Sequence, residues 1–232
     1  MNSATCAVLA PAAAAMRPVL NRVVFHGIET CRGLFDDPGI RVRSSAGPRV
    51  LVNALATVAL DRLAPELSSA GLTRTRRGSE VEHWEFGDTV QLHVTTPSTG
   101  EADSAAATAR EYAVLLTQSV VLDGNCSVRV SALPAQLALL WCLHLSASTA
   151  FIDSDRLEDM IEIVMGRRTI VEDVEAAPAE LRAMVSQASR ALVAHDGLLW
   201  VLRRALPDAR LVPAVAIRAR ERFARLGEFA TA

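Results

Sequence analysis

The spacing of apolar positions along this chain changes period near residue 131. Before that point, short runs alternate apolar and polar residues, the period of strands with one buried face. After it, apolar residues recur every third and fourth position, the period of helices. Glu82 to Phe86 and Thr89 to Thr95 place Trp84 and Phe86, then Val90, Leu92 and Val94, on buried faces, with Gly87-Asp88 as the turn between them. Val120 to Leu122 and Ser127 to Val130 flank Asp123-Gly124-Asn125, a second hairpin signal. Arg49 to Asn53 and Leu72 to Arg76 read as two further short strands. Ala54 to Ala70 reads as a helix, with Leu55, Val58, Ala59, Leu63 and Leu67 in phase, and Ala105 to Leu116 as another. Cys31 to Ser45 is loop-rich and carries the turn Asp36-Asp37-Pro38-Gly39.

The second half opens with Leu133 to Leu145, an apolar helix. In the next, from Asp155, Leu157, Met160, Ile161, Val164 and Met165 share one face. Asp155 and Glu158 have capping-box spacing. Gly166 closes the run where a left-handed residue is wanted, and Arg167 and Arg168 complement the negative helix end. Thr169 to Glu172 repeats the capping spacing. Pro178 opens a helix with Leu181, Met184, Val185, Ala188 and Leu192 on one face. The last helix, Pro213 to Leu226, buries Val215, Ala216, Ala219, Phe223 and Leu226 behind an outer stripe of Arg218, Arg222 and Arg225. The expected fold is α/β (α+β): a flexible tail over 1–18, a small mixed-sheet domain over 19–131 and an all-helical domain over 132–232.

Composition narrows the chemistry. Half of the 232 residues are hydrophobic, enough for a substantial core, and the net charge of −2 gives no global basic field for nucleic acid. All 24 basic residues are arginine, which excludes a Schiff-base lysine, a P-loop lysine and a lysine general base. Cys6, Cys31, Cys126 and Cys142 show no zinc spacing with the five histidines, so reduced thiols in a cytoplasmic protein are expected. The apolar run Ala7 to Met16 is short, interrupted by Pro11 and not preceded by a basic segment, unlike a signal peptide. No apolar run reaches the ~18 residues of a membrane span. No DNA-binding motif is present.

The segment from Ser154 to Arg182 resembles the C-terminal domain of AbiEii-type nucleotidyltransferases, which occur in toxin–antitoxin systems. The resemblance rests on Ser154, Leu157, Glu158, Asp159, Gly166, Arg167, Val171, Glu172, Val174, Ala177, Pro178, Leu181 and Arg182. Arg156 stands where that family usually has an aspartate. The resemblance implies a small mixed sheet bearing a cleft, followed by a helical module. It also implies transfer of a nucleoside monophosphate from an NTP to a hydroxyl with Mg²⁺ held by three carboxylates, an Asp-x-Asp pair on one strand and a third acid on its neighbour. The i, i+2 spacing sets the pair on one strand face.

On that pattern, Arg43 and Ser45 match and, with Ser44 and Arg49, are the candidate nucleotide-binding residues. Gly47 and Arg49 fall where the two aspartates belong, and Gln91 falls at the third carboxylate. An arginine in place of a carboxylate inverts the local charge and repels Mg²⁺. A displaced acidic pair at Asp36 and Asp37 is the remaining route to catalysis, against a solvated turn as the ordinary identity of that dipeptide. Mg²⁺ and NTP are therefore expected only if the transferase site is intact.

Other constellations carry less. His83 and His93 lie on paired strands without metal-ligand spacing to Cys126. Asp153, Asp155, Glu158, Asp159 and Glu162 read as caps and a solvated face. Arg74, Arg76 and Arg77, with the Arg218 stripe, either contact phosphate or RNA or are ordinary surface arginines, and no aromatic residues interleave them. Trp141 and Cys142 stand in the region where the relatives carry a lysine. The reading is a nucleotidyltransferase-like protein with a degenerate site that binds a nucleotide, an RNA or a cognate protein partner. The alternatives are an active Mg²⁺-dependent transferase acting on RNA or protein, and a structural or regulatory interaction module.

Overall fold

The computed structural model describes residues 3–36, 50–77, 81–88, 90–96, 104–123, 126–147, 151, 154–195, 197–205 and 212–229. The chain divides into two compact units, 1–34 with 45–132, and 35–44 with 133–232.

The first unit is a seven-stranded mixed sheet with helices. Its strands are β1 (Val23–His26), β2 (Val50–Ala56), β3 (Thr73–Arg77), β4 (Val81–Phe86), β5 (Val90–Thr95), β6 (Thr117–Asp123) and β7 (Cys126–Ser131). They lie in the order β3-β4-β5-β2-β1-β7-β6. β2 is central, antiparallel to β1 and parallel to β5, and β1 runs parallel to β7. The hairpins β4–β5 and β6–β7 flank this centre. The helices are α1 (Ser3–Ala15), the short α2 (Ile28–Cys31), α3 (Leu60–Ser69) and α4 (Ala105–Leu115). One sheet face carries Phe25, Val52, Ala54, Trp84, Val90, Leu92 and Val94 into a core completed by Leu9, Ala12 and Met16 at α1 and by Leu60, Leu63 and Leu67 of α3. Trp84, Leu63 and Leu67 are fully buried, and burial of each large apolar side chain contributes about 1.5–3 kcal/mol relative to exposure.

Three local expectations change. The segment expected as a flexible tail is helical from Ser3 to Ala15, with Leu9, Ala12, Ala13 and Ala15 buried. Ala54, Leu55 and Ala56, expected at the start of a helix, instead complete β2. Pairing on both sides, to Phe25, Val24 and Val23 of β1 and to Val94 and Thr95 of β5, overrides the helical preference of alanine. Phe86 pairs with Val90, a register one residue away from the one a two-residue Gly87-Asp88 turn implies.

The second unit contains α5 (Leu133–Leu145), α6 (Asp155–Gly166), α7 (Ile170–Glu175), α8 (Ala179–Ala194), α9 (Leu198–Ala205) and α10 (Val212–Gly227). Leu157, Met160, Ile161, Val164 and Met165 of α6 are buried as their spacing requires, as are Leu181, Val185, Ala188 and Leu192 of α8 and Val215, Ala219, Phe223 and Leu226 of α10. The polar details differ from expectation. Ser154, not Asp155, is the N-cap of α6, and its Oγ is 2.9 Å from His144 Nδ1 rather than on a helix N–H. Glu158 and Glu162, read as a solvated face, are 6% and 1% exposed. Gly166 does not adopt positive φ; a Cβ there would overlap the Phe35 ring, so close packing sets the glycine. Arg222 is not an outward arginine. Its Nη1 donates to the Val164, Met165 and Arg167 carbonyls, the last two at 3.2 Å, satisfying the C-terminal end of α6.

Candidate functional site

The sheet face opposite the α1–α3 core carries Val24 and His26 on β1, Leu51, Asn53 and Leu55 on β2, Gln91, His93 and Thr95 on β5, and Val81, His83 and Glu85 on β4. Alternation along each strand sets these residues opposite the core-facing ones. Near β1, β2 and β7 this face packs against α4, with Val24 and Leu55 buried. Toward β5 and β4 it is more open: Leu51 is 41% exposed, and Asn53, Gln91, His93, His83 and Glu85 are half-buried.

Strand register aligns the polar residues in one line. His26 pairs with Asn53, Asn53 with His93, and His93 with His83. A bulge in β3 carries the line one strand further. Arg74 pairs with Trp84, but the next paired residue is Arg76, opposite His83, whereas an unbroken ladder would set Arg76 opposite Glu82. Bulges re-aim side chains in this way. The result is Arg76–His83–His93–Asn53–His26, contributed by five adjacent strands. The His83 and His93 rings meet edge to face, with centroids 4.1 Å apart.

The turn after His26 holds the line at its inner end. Gly27 has φ +90°, and a Cβ on it would lie 3.0 Å from Asn53 Nδ2, so both backbone conformation and space call for glycine. The Thr30 hydroxyl and the Thr30 and Cys31 N–H groups donate to the Gly27 carbonyl and lock the turn. His26 remains neutral: burial, then Arg110, then His93 push its pKa down to about 4. Its Nε2 is buried with no hydrogen-bond partner among the described residues. Burial, and then the charge His83 would carry, also lower the pKa of His93.

The residues singled out from the sequence fall in different places. Gln91 lies on β5 beside Leu51 and donates from Nε2 to Glu85 Oε1 at 3.2 Å. Asp36 belongs to the second unit. Its carboxylate accepts from Arg167 Nη1 at 3.3 Å and from the Arg168 N–H at 3.1 Å, and its own N–H donates to the Gly166 carbonyl, so this exposed residue is tied to the end of α6. Asp37, Arg43, Ser44, Ser45, Gly47 and Arg49 lie outside the described residues. Arg74 is drawn toward the core face, where it pairs with Glu82 at 3.0 Å and lies over Trp84. Trp141 and Cys142 are buried.

Sequence reasoning passed over Asn53 and His26, and saw His83 and His93 only as members of paired strands. The alternation itself held the signal. With apolar Leu92 and Trp84 on one face, alternation sets His83 and His93 together on the other, and the register of the hairpin then makes them neighbours. The Arg76 alignment needs the bulge, which no motif announces. Among the described residues, no three His, Cys, Asp or Glu side chains are grouped so as to hold a metal ion, and no helix is long and apolar enough to cross a membrane.

No protein-family model matches the sequence, and no curated protein matches it. Solved structures do. The Helicobacter pylori protein JHP933 aligns with a TM-score of 0.52 at 12% identity, over 97% of this chain and 92% of that one. A second H. pylori protein, proposed to be a nucleotidyltransferase, aligns with a TM-score of 0.51 at 10% identity, over 98% of this chain and 96% of its own. At these identities the likeness concerns the fold alone, which this chain shares with the two H. pylori proteins.

Proposed function

We propose that this protein keeps a nucleotide-binding sheet face on a nucleotidyltransferase-like fold and has lost the transfer chemistry. The observation that carries the reading is the content of that face on β1, β2 and β5. His26, Asn53, Gln91, His93 and Thr95 are its polar residues, and none is a carboxylate. Transfer of a nucleotidyl group needs acidic ligands for Mg²⁺, which neutralises triphosphate charge and activates the attacking hydroxyl. Gly47 and Arg49, at the positions the family resemblance assigns to aspartates, point the same way. Asp36 is not the replacement we favour, because Arg167 and the Arg168 N–H already engage its carboxylate. The finer assignment we favour is AbiEii-type, on the Ser154–Arg182 resemblance, with a nucleotide as the primary ligand and a cognate RNA or protein as a further partner.

Purified protein incubated with Mg²⁺ and each labelled NTP is expected to label neither RNA nor itself, while NTPs raise its melting temperature without Mg²⁺. Labelling abolished by Asp36→Ala or Asp37→Ala would restore the active-transferase reading. No shift with any nucleotide, with or without Mg²⁺, would leave an interaction module.

A further inference from the structure

We propose that Arg76, His83, His93, Asn53 and His26 form a phosphoanion site that takes the triphosphate of a nucleotide without a divalent cation. The proposal rests on the nucleotide-binding reading of this face and specifies its chemistry. The five residues come from five neighbouring strands, so at ~4.8 Å per strand the line spans roughly 19 Å. The line is longer than an extended triphosphate, so the phosphates would occupy neighbouring residues within it, centred on the open His83–His93 pair. The donors suit such an anion: a guanidinium at the outer end, two imidazoles, a carboxamide NH₂, and a third imidazole beside Arg110 at the inner end.

Charge decides between an anion and a cation. The line itself contains no acid. Glu82, next to His83 on β4, is buried on the opposite face with Arg74; on this face the nearest carboxylate among the described residues, Glu85, is two residues along β4 from His83 and accepts from Gln91. A hard divalent ion prefers carboxylate and carbonyl oxygens, and Arg76 in the line opposes it. A phosphate is the complementary ligand. The buried, unpartnered Nε2 of His26 gives the inner end an unfilled hydrogen-bonding position of the kind a ligand oxygen satisfies.

The histidine pair makes binding depend on protonation. Among the described residues, the charged and titratable groups on this face are Arg76 from β3, His83 and Glu85 from β4, His93 from β5, His26 from β1 and Arg110 from α4, with Gln91 and Asn53 as neutral neighbours. Without ligand, burial and mutual repulsion hold His93 neutral. A phosphate against the pair offsets both, so binding draws a proton onto His93 and tightens as pH falls toward 6.

The test is calorimetric titration of the full chain with inorganic triphosphate and with ATP and GTP, in EDTA, at pH 6 and pH 8. The expected result is metal-free binding of both, about tenfold tighter at pH 6, with an enthalpy that varies with buffer ionisation as a proton is taken up. The double variant His83→Gln/His93→Gln should lose the pH difference and about tenfold in affinity, and Arg76→Gln should weaken binding at both pH values. All three side chains are half-buried or exposed, and unchanged melting temperatures show that the variants fold. Metal-free nucleotide binding that ignores pH and these variants overturns this proposal and leaves the nucleotide-binding reading standing, whereas nucleotide binding that needs Mg²⁺ overturns both. Triphosphate binding without nucleotide binding overturns that reading and leaves the anion site. Binding of a short RNA but of neither triphosphate nor nucleotide overturns both.

Discussion

Replacing His26 by glutamine should change how the protein responds to acid. In the folded protein the imidazole titrates at about 4, below its ordinary 6.5, because burial and then Arg110 disfavour its charged form. As pH falls through 6.5 the unfolded chain takes up the proton first, so acid favours unfolding. The contribution of neutral His26 is complete above neutral pH, falls as pH drops below 6.5 and levels out near 4. A shift from 6.5 to about 4 corresponds to about 3 kcal/mol in total, of which about 2 kcal/mol is lost by pH 5. Urea unfolding at pH 7.5 and pH 5 measures it. Wild type should lose about 2 kcal/mol more than His26→Gln between the two conditions. His93 and His144, also shifted down by burial, contribute to both proteins and largely cancel in the comparison. The His26 ring proton followed by NMR reports the same quantity directly. Titration near 6.5, or equal acid sensitivity of the two proteins, would refute the reasoning.

Two substitutions test the second unit. Gly166→Ala gains about 1 kcal/mol of helix propensity but forces its Cβ into the Phe35 ring, so a net loss of about 1–2 kcal/mol is expected in thermal or urea unfolding. The same change in a Phe35→Ala background should be neutral or stabilising; an equal loss there would show that backbone conformation, not packing, sets the glycine. Arg222→Leu leaves the Val164, Met165 and Arg167 carbonyls without their donor and should cost about 1–3 kcal/mol. By contrast Arg218→Leu, on the exposed side of α10, should change stability by less than about 0.5 kcal/mol, and equal effects at the two positions would contradict the capping role.

Much of the fold was legible because it is local. The hairpin β4–β5, the helix α5 and the buried faces of α6, α8 and α10 follow from apolar periodicity, since a strand or helix with one apolar face has one way to bury it. Failures occurred where distant partners decide. Ala54 to Ala56 has helical composition and becomes strand because β1 and β5 pair on either side. Arg222 lies in a stripe with Arg218 and Arg225, and only the end of α6 separates it from them. Glu158 and Glu162 look solvated by composition but are buried.

The site divides along the same line. By itself, the sequence determined that Gly47, Arg49 and Gln91 are not carboxylates, because identity at a position needs no structure; that these are the metal positions belongs to the proposed resemblance. It also determined that His83 and His93 share one face of paired strands, because alternation has a period of two residues. Only the tertiary structure decided that Arg76, Asn53 and His26 join them in one line. That alignment depends on which strands become neighbours, on their register and on one bulge, and these arise from contacts between residues up to 67 positions apart, as between His26 and His93.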